Sequence, residues 1–396
     1  MKRKIIIAAC IIACPIFIVF LIKGLLLYQE KSVERAIKKM QDQAVEQILT
    51  SRKLDHDDGT EDDPFDEQGV IKILFIGIDA RVGQEHGHCD AIQLITIDKN
   101  NGGRIEITAV PRGTYSPLPA GKGTTSSDYY VSNACGLGGL DYGVKQMEKI
   151  LGVQTDYLVV IGFSETLGIL RYLGLPSTET LQWLRNRHGY VIGEPQRAHN
   201  HSTFIKQMII KFVPRDASAF DTPLQYTVYK LVKTDLSFSQ VQNIAKTISS
   251  MNIVDEPDKI HLSMRPLYHV QDISYDAEHV QEYLDQTLGP IKHLLSKDDY
   301  SDRSVQTIQE GVVRIMEENK DNIEFVSWAY QNNLWLQIED ATESLALQYA
   351  ILEQYIRLLP TKEEQQAVLA DYVIEMENRG EDEWLDKGRK LLLNSL

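Results

Sequence analysis

The sequence predicts an α/β domain with a covered sheet, preceded by a transmembrane helix and followed by an all-α extension. Residues 5–22 carry no charge, short apolar runs alternate with helical patterns between about 70 and 250, and residues 282–396 show helical periodicity without a clear strand pattern. We divide the chain into 1–28, a short cytoplasmic tail and anchor; 29–68, a helical stalk and acidic linker; 69–278, the α/β domain; and 279–396, the extension.

The composition limits the function classes. The 396 residues are 43% hydrophobic and 24% charged, which is typical of globular proteins and excludes a wholly disordered, collagen-like or polytopic membrane protein. The net charge of −15 disfavours binding of nucleic acid or of an anionic membrane through a basic field. Four cysteines are too few for a disulfide scaffold. We interpret Cys89 and Cys135 as free thiols, with a disulfide as the alternative.

The uncharged run 5–22 is at the short end of what spans a bilayer, and the basic residues 2–4 favour a cytoplasmic N-terminus. A cleavable signal peptide is the alternative, but no small-x-small cleavage site follows the run. We therefore expect a single-pass protein of the cell membrane with its main domain outside the cytoplasm. The acidic segment 55–67 reads as a solvated linker, because it lacks the glycine and distal glutamate of an EF-hand loop.

The α/β domain contains four strand-like runs, of which the second and third are joined by the turn-forming residues 98–103 and predict a hairpin. The strands are predicted at 73–77, 92–97, 105–110 and 157–161, and the helices at 143–151, 164–173, 178–187 and 203–212. In the extension, Thr361 with Glu364 forms a predicted capping box and Gly380 a predicted helix C-cap. These helices predict a small bundle or solenoid without a firm 34-residue repeat.

Two aspartates flank neighbouring strands. Asp79 follows the first strand and Asp90 precedes the second, where α/β sheets place ligand sites, so the two carboxylates could share one Mg²⁺ ion. The alternative is a turn cap for Asp79 and a solvated Asp90.

Arginines lie near the same strand and helix ends and match phosphate oxygens through their planar forks. Beside two aspartates in an acidic protein they suggest a metal–diphosphate site, with surface ion pairing as the alternative. They are Arg81, Arg112, Arg185, Arg187 and Arg197. A zinc site is a weaker hypothesis, because the spacing is not that of a structural zinc site. Its residues would be His86, His88, Cys89, His188, His199 and His201.

A series of motifs over about residues 70–250 resembles the LytR-CpsA-Psr family of cell-envelope glycopolymer ligases. In order they read ILFIGIDAR, CDAIQLITID, RIEITAVPRGTY, the block 133–163, LQWLRNRHG with GEPQR, and LVKTDLSFSQVQNIAK. The resemblance implies a three-layer α/β/α domain with a central mixed sheet and an apolar tunnel for a lipid tail. It also implies transfer of a phosphoglycan from a polyprenyl diphosphate donor to a cell-wall acceptor, usually peptidoglycan.

The resemblance also assigns roles to residues. Asp79 and Asp90 match the pair that holds Mg²⁺, the five arginines match those that line the diphosphate, and Arg81, Arg112 and Asp79 are the expected catalytic residues. The chain departs from the family where Gly113 replaces an acid, His88 an arginine and Glu194 an aspartate, and where residues 200–202 read Asn-His-Ser instead of Arg-Gln-Gln. These departures leave two alternatives open: a non-catalytic polyprenyl-lipid or glycan-binding envelope regulator, and a pyrophosphatase that uses water as acceptor. The extension is a candidate docking module for an envelope protein.

Overall fold

The computed structural model describes residues 49, 63–79, 87–216, 222–294, 305–338 and 340–395. The predicted transmembrane segment, most of the stalk and linker, and Arg81 lie outside these residues. Within them, no helix combines the length and the apolar character needed to cross a membrane. The predicted domain boundaries stay a prediction.

A six-stranded mixed sheet forms the centre of the α/β domain, in the order β5-β4-β1-β2-β3-β6. The pairs β1–β2, β2–β3 and β4–β5 are antiparallel, whereas β1–β4 and β3–β6 are parallel. The strands are β1 Val70–Asp79, β2 His88–Asp98, β3 Arg104–Ala109, β4 Tyr157–Gly162, β5 Lys233–Thr234 and β6 Ile260–Met264. The predicted mixed sheet and the β2–β3 hairpin are confirmed, and β5 and β6 are additional strands.

Helices cover both faces of this sheet. Those of the α/β region are α1 Val131–Gly138, α2 Leu140–Leu151, α3 Phe163–Tyr172, α4 Ser177–Arg185, α5 Gly193–Phe212, α6 Thr222–Lys230, α7 Phe238–Ser250 and α8 Val280–Leu288. On one face, Leu74 and Ile92 pack against Met147 of α2. On the other face, Ile73 packs against Ile244 of α7 in a cluster that α5 also joins. The burial of both faces explains why the strands are apolar runs rather than strict alternations.

Two helices differ from their predicted bounds in ways that matter for the site. Helix α5 begins at Gly193, ten residues before the predicted start at 203. Its first three turns bury polar side chains, so their sequence lacks the apolar stripe of an amphipathic helix. Helix α4 ends at Arg185, so Arg187 lies in the loop that follows it.

The extension is helical, as predicted, with α9 Val305–Asn319, α10 Ile323–Gln331, α11 Ala341–Ile356, α12 Lys362–Arg379 and α13 Asp382–Ser395. The Thr361 side chain accepts a hydrogen bond from the backbone N–H of Glu364, and Gly380 ends α12 with a positive φ of 70°. Both predicted caps are therefore confirmed.

A short 3₁₀ turn, Leu334–Gln337, joins the extension to α3. The Leu336 side chain packs where Gly168 lacks a side chain, since a Cβ on Gly168 would lie 2.8 Å from the Leu336 Cδ1. The side-chain amide of Asn333 donates a hydrogen bond of 2.6 Å to the buried Glu165, whose pKa is raised by burial. The extension is thus packed against the α/β domain through a shared, largely buried contact.

Candidate active site

A β-bulge in β2 orients the side chain of Asp90 towards Arg112. Gly77 of β1 lies opposite Ala91 and Ile78 lies opposite Cys89, so Asp90 is an extra residue in β2. Side chains alternate between the two faces of a sheet along a strand. One inserted residue therefore moves the side chain of every residue beyond it to the opposite face. Asp90 consequently bonds to Arg112, while Cys89 reaches Cys135 on α1, on the opposite face of the sheet.

Cys89 and Cys135 form a disulfide, with their Cα atoms 5.9 Å apart. The interpretation of these residues as free thiols is therefore wrong. Their separation of 46 residues in the chain does not determine their distance in space. The β-bulge that turns the Cys89 side chain towards α1 could not be predicted from the sequence.

Three arginines converge on one carboxylate at the start of α5. Glu194 Oε1 accepts hydrogen bonds from Arg112 Nε at 3.2 Å and from Arg187 Nη1 at 3.1 Å. Glu194 Oε2 forms an ion pair with Arg197 Nη2 at 2.7 Å. Arg112 Nη1 also donates a bond of 2.7 Å to Asp90 Oδ1. We call these five side chains the arginine cluster.

The arginine cluster is electrostatically suited to an anion. Its three guanidinium groups and two carboxylates leave one net positive charge. Burial opposes the ionisation of Asp90, but the charges of Arg112 and Arg197 outweigh this and lower the pKa of Asp90. Burial lowers the pKa of Arg197 to about 10, so it stays protonated at neutral pH. Partly buried guanidinium forks of this kind are strong ligands for phosphate oxygens.

The remaining predicted site residues lie around this cluster. Asp79 ends β1 opposite His88, so it reaches the same end of the β1–β2 pair as Asp90. Arg185 ends α4 with its guanidinium carbon 5.2 Å from the centroid of the Phe163 ring. Arg81 lies outside the described residues. The structure therefore brings Asp90, Arg112, Arg187 and Arg197 together, and the roles of all these residues stay predictions.

Two histidines of the zinc hypothesis, His199 and His201, have other partners, and His86 lies outside the described residues. His199 Nε2 lies 2.6 Å from Asp272 Oδ1, and His201 Nε2 lies 2.7 Å from the Leu184 carbonyl oxygen. Cys89 is oxidised in the disulfide and offers no thiolate. Across the described ranges of the chain, no group of three or more His, Cys, Asp or Glu residues is arranged to hold a metal ion. These findings do not support a zinc site.

The structure shows the surroundings of two residues that depart from the family pattern, Asn200 and Gly113. Asn200 is fully buried, accepts a hydrogen bond from Gln196 and donates one of 3.0 Å to the Tyr190 hydroxyl. At Gly113, an added Cβ would meet no atom within 4 Å. Position 200 thus belongs to a neutral network behind the arginines, and position 113 faces open space.

Sequence reasoning missed the bridging role of Glu194. It appeared only as a replacement for the aspartate expected there, although its carboxylate contacts all three clustered arginines. The signal that could have found it is its place three residues before Arg197, a spacing that puts both side chains on one face of a helix. Reading that signal required knowing that α5 begins at Gly193.

Comparisons with known proteins agree with these observations. The LytR_cpsA_psr family model matches residues 26–166. A Bacillus cereus protein named polyisoprenyl-teichoic acid–peptidoglycan teichoic acid transferase TagU is 24% identical over 226 residues, which cover 51% of this chain and 72% of that protein. A protein of the same name from Bacillus mycoides is 23% identical over 231 residues, covering 57% and 72%.

Among solved structures, that of B. subtilis TagV aligns with a TM-score of 0.42 and 18% identity, over 57% of this chain and 99% of that one. The resemblance found in the motifs is borne out by the family match and by the named relatives. Residues 26–166 of the chain thus match the LytR-CpsA-Psr family.

Proposed function

We propose that this chain is a membrane-anchored phosphotransferase that attaches a glycopolymer from a polyprenyl diphosphate donor to the peptidoglycan of the cell wall, with the assistance of Mg²⁺. The family match over residues 26–166 and the names of the TagU relatives support glycopolymer transfer to peptidoglycan. The predicted N-terminal anchor supports a place at the cell membrane, with the α/β domain outside the cytoplasm.

The observation that carries the proposal is the convergence of Arg112, Arg187 and Arg197 beside Asp90. In this arrangement Glu194 occupies the position between the guanidinium groups that a diphosphate oxygen would take. A diphosphate carries more negative charge than one carboxylate, so it can compete with Glu194 for the same donors. The arginines would then bind the oxygens of the phosphorus that undergoes attack.

The residues at the strand ends fit a magnesium ion. Mg²⁺ needs only one or two protein carboxylates when phosphate oxygens and water complete its shell, and Asp79 and Asp90 lie at the same end of adjacent strands. A carboxylate has two oxygens, so Asp90 can bind Arg112 through one and a metal ion through the other. When bound, the ion would neutralise charge on the diphosphate.

The protein side chains are assigned two tasks: to position the diphosphate for attack, and to stabilise the negative charge that develops on its oxygens. The oxygen of an acceptor hydroxyl attacks the glycan-proximal phosphorus and its proton passes to solvent water. The bond from that phosphorus to the bridging oxygen breaks, and polyprenyl phosphate leaves. Arg112, with Arg81 as its predicted partner, stabilises the oxygens on which negative charge develops. Removing one such donor typically reduces the rate about 10²–10³-fold.

Release of polyprenyl phosphate by the purified full chain tests the proposal, with a polyprenyl diphosphate-linked glycan as donor and peptidoglycan fragments as acceptor. We expect release that depends on both acceptor and Mg²⁺, and its loss in Asp79→Ala and Asp90→Ala variants that keep the thermal stability of the folded chain. Near-normal turnover in either variant would refute the metal assignment.

Arg112→Lys should reduce the rate about 10²-fold, because an ammonium group cannot reproduce the planar fork that bonds to two partners. The matched control is Arg104→Lys, an exposed arginine on β3 that pairs with Glu106. Donor binding without turnover would favour the regulator instead, and release without any acceptor would favour the pyrophosphatase.

A further inference from the structure

The extension contacts the α/β domain where β4 meets α3. Strand β4 ends at Gly162 and α3 begins at Phe163, so no loop separates the two elements. The side chains of Ser164 and Glu165, in the first turn of α3, are polar and buried. We call residues 162–165 the β4–α3 junction. Buried polar side chains need hydrogen-bond partners, and at this junction the extension supplies them.

Two hydrogen bonds attach the extension to the β4–α3 junction. Asn333 Nδ2 donates a bond of 2.6 Å to Glu165 Oε1. Gln337 Nε2 donates a bond of 3.0 Å to Ser164 Oγ. Asn333 immediately precedes the 3₁₀ turn 334–337, and Gln337 ends it. The turn is therefore attached to the junction at both of its ends.

The position of the Glu165 side chain depends on the bond from Asn333. Glu165 Oε2 is buried and has no hydrogen-bond partner within the described ranges of the chain. This oxygen fills the space where a Cβ on Gly162 would lie, so the carboxyl group packs directly against the end of β4. Burial raises the pKa of Glu165, although the bond from Asn333 and the charge of Lys233 oppose the rise. Without the Asn333 amide, the carboxyl group would have to leave this space to reach water.

The β4–α3 junction also supports a predicted site residue. The guanidinium carbon of Arg185 lies over the ring of Phe163, 5.2 Å from its centroid. Arg185 ends α4, two residues before Arg187 of the arginine cluster. Strand β4 runs parallel to β1 as far as Gly162, so the junction lies at the end of the sheet where Asp79 ends β1. A shift of the junction would move the ring on which the Arg185 side chain packs.

We propose that Asn333 and Glu165 are positioning residues for the diphosphate site. They hold the β4–α3 junction in the place from which Phe163 fixes the guanidinium group of Arg185 beside the arginine cluster. The inference rests on the proposed function, because Arg185 is predicted to bind the diphosphate. The extension then takes part in the reaction as well as being a candidate docking module. Small displacements matter here, since a misplacement of about 1 Å can reduce a rate about 10²-fold.

Binding of geranyl diphosphate to the purified full chain, measured by titration calorimetry with Mg²⁺ present, tests the inference. Asn333→Gly removes the amide and keeps the backbone, because glycine adopts the positive φ of 45° at this position without strain. We expect Asn333→Gly to weaken binding about tenfold through the displaced Arg185.

The matched control is Asn252→Gly. Asn252 also has a positive φ, of 57°, and its side chain donates a bond of 3.0 Å to Glu256 in the exposed turn that follows α7. The control therefore removes the same kind of hydrogen bond from the same kind of backbone, away from the β4–α3 junction. Asn252→Gly should leave the affinity for geranyl diphosphate unchanged.

Substitutions of Glu165 separate positioning from packing. Glu165→Gln keeps an oxygen that accepts the bond from Asn333 and should retain the affinity. Glu165→Leu fills a similar space without an acceptor and should weaken binding as much as Asn333→Gly does. The Arg185→Ala background tests the route: Arg185→Ala should itself weaken binding, and adding Asn333→Gly should cause no further loss, because the group that is positioned is absent.

Other results would overturn the inference. Wild-type affinity in Asn333→Gly would show that the contact does not position the site, and an undiminished loss in the Arg185→Ala background would show that it does not act through Arg185. Equal losses in Asn252→Gly or Glu165→Gln would mean that the affinity follows the stability of the fold. If the wild-type chain does not bind geranyl diphosphate, the proposed function fails and the inference fails with it, whereas binding that Asn333→Gly leaves unchanged defeats the inference alone.

Discussion

Protonation of His201 should destabilise the folded chain below neutral pH. His201 lies on α5, and its Nε2–H donates a hydrogen bond of 2.7 Å to the Leu184 carbonyl, because a carbonyl can only accept. A second proton would have to bind Nδ1, which is buried without a hydrogen-bond partner. Burial, assisted by the positive charge of Arg197, lowers the pKa of His201 to about 4.

The size and sign of the effect follow from the two pKa values. An unfolded histidine has a pKa near 6.5, so the unfolded chain binds more protons than the folded chain between pH 6.5 and 4. The stabilisation is complete above pH 6.5 and is lost as the pH falls towards 4. The full difference corresponds to about 3 kcal/mol, and because the residue as a whole is half-buried, solvent screening reduces our expectation to about 2 kcal/mol.

Urea unfolding of the wild-type chain and of His201→Gln at several pH values between 7.5 and 4.5 measures this effect. Glutamine can still donate to the Leu184 carbonyl but does not titrate, so its free energy of unfolding should fall less steeply with decreasing pH. His279→Gln is the matched control of opposite sign, since Asp276 raises the pKa of the exposed His279. Parallel pH profiles for the wild type and His201→Gln would refute the reasoning.

Two further predictions concern stability. Cys135→Ser should lower the free energy of unfolding by about 2–4 kcal/mol, because it opens a loop of 46 residues, and a reducing agent should reproduce the loss in the wild type but not in the variant. Leu336→Ala should cost about 3 kcal/mol through the cavity it leaves against Gly168, whereas the exposed Ile374→Ala should change the stability by less than about 0.5 kcal/mol, as measured by urea unfolding.

Residue types at helix ends and turns were sufficient to predict the elements that depend mainly on interactions between neighbouring residues in the chain. The caps at Thr361 and Gly380 follow from residue types that satisfy helix ends, and the β2–β3 hairpin follows from its turn residues. The strand β6 and the start of α5 depend instead on tertiary contacts. The first turns of α5 bury polar residues such as Gln196 and Asn200, which hydrogen-bond to each other and to distant parts of the chain. Hydrophobic periodicity cannot detect a helix of this kind.

The sequence motifs predicted part of the candidate site. The resemblance selected Asp90, Arg112, Arg187 and Arg197, and the structure brings these four together. The motifs did not show that Glu194 would bridge the arginines, because a substitution of glutamate for aspartate says nothing about which donors its longer side chain reaches.

The β-bulge connects the disulfide to the site. One extra residue in β2 sends Asp90 towards Arg112 and Cys89 towards α1, so a slip of the β1–β2 register by one residue would reverse both. Since Cys89 can reach Cys135 only in the bulged register, the disulfide holds the register in which Asp90 meets the arginines. Gly77 makes the close strand approach here possible, because a Cβ at this position would lie 3.0 Å from that of Ala91. Loss of the disulfide should therefore weaken the site as well as the fold, and Cys135→Ser should reduce binding of geranyl diphosphate even under conditions where the chain stays folded.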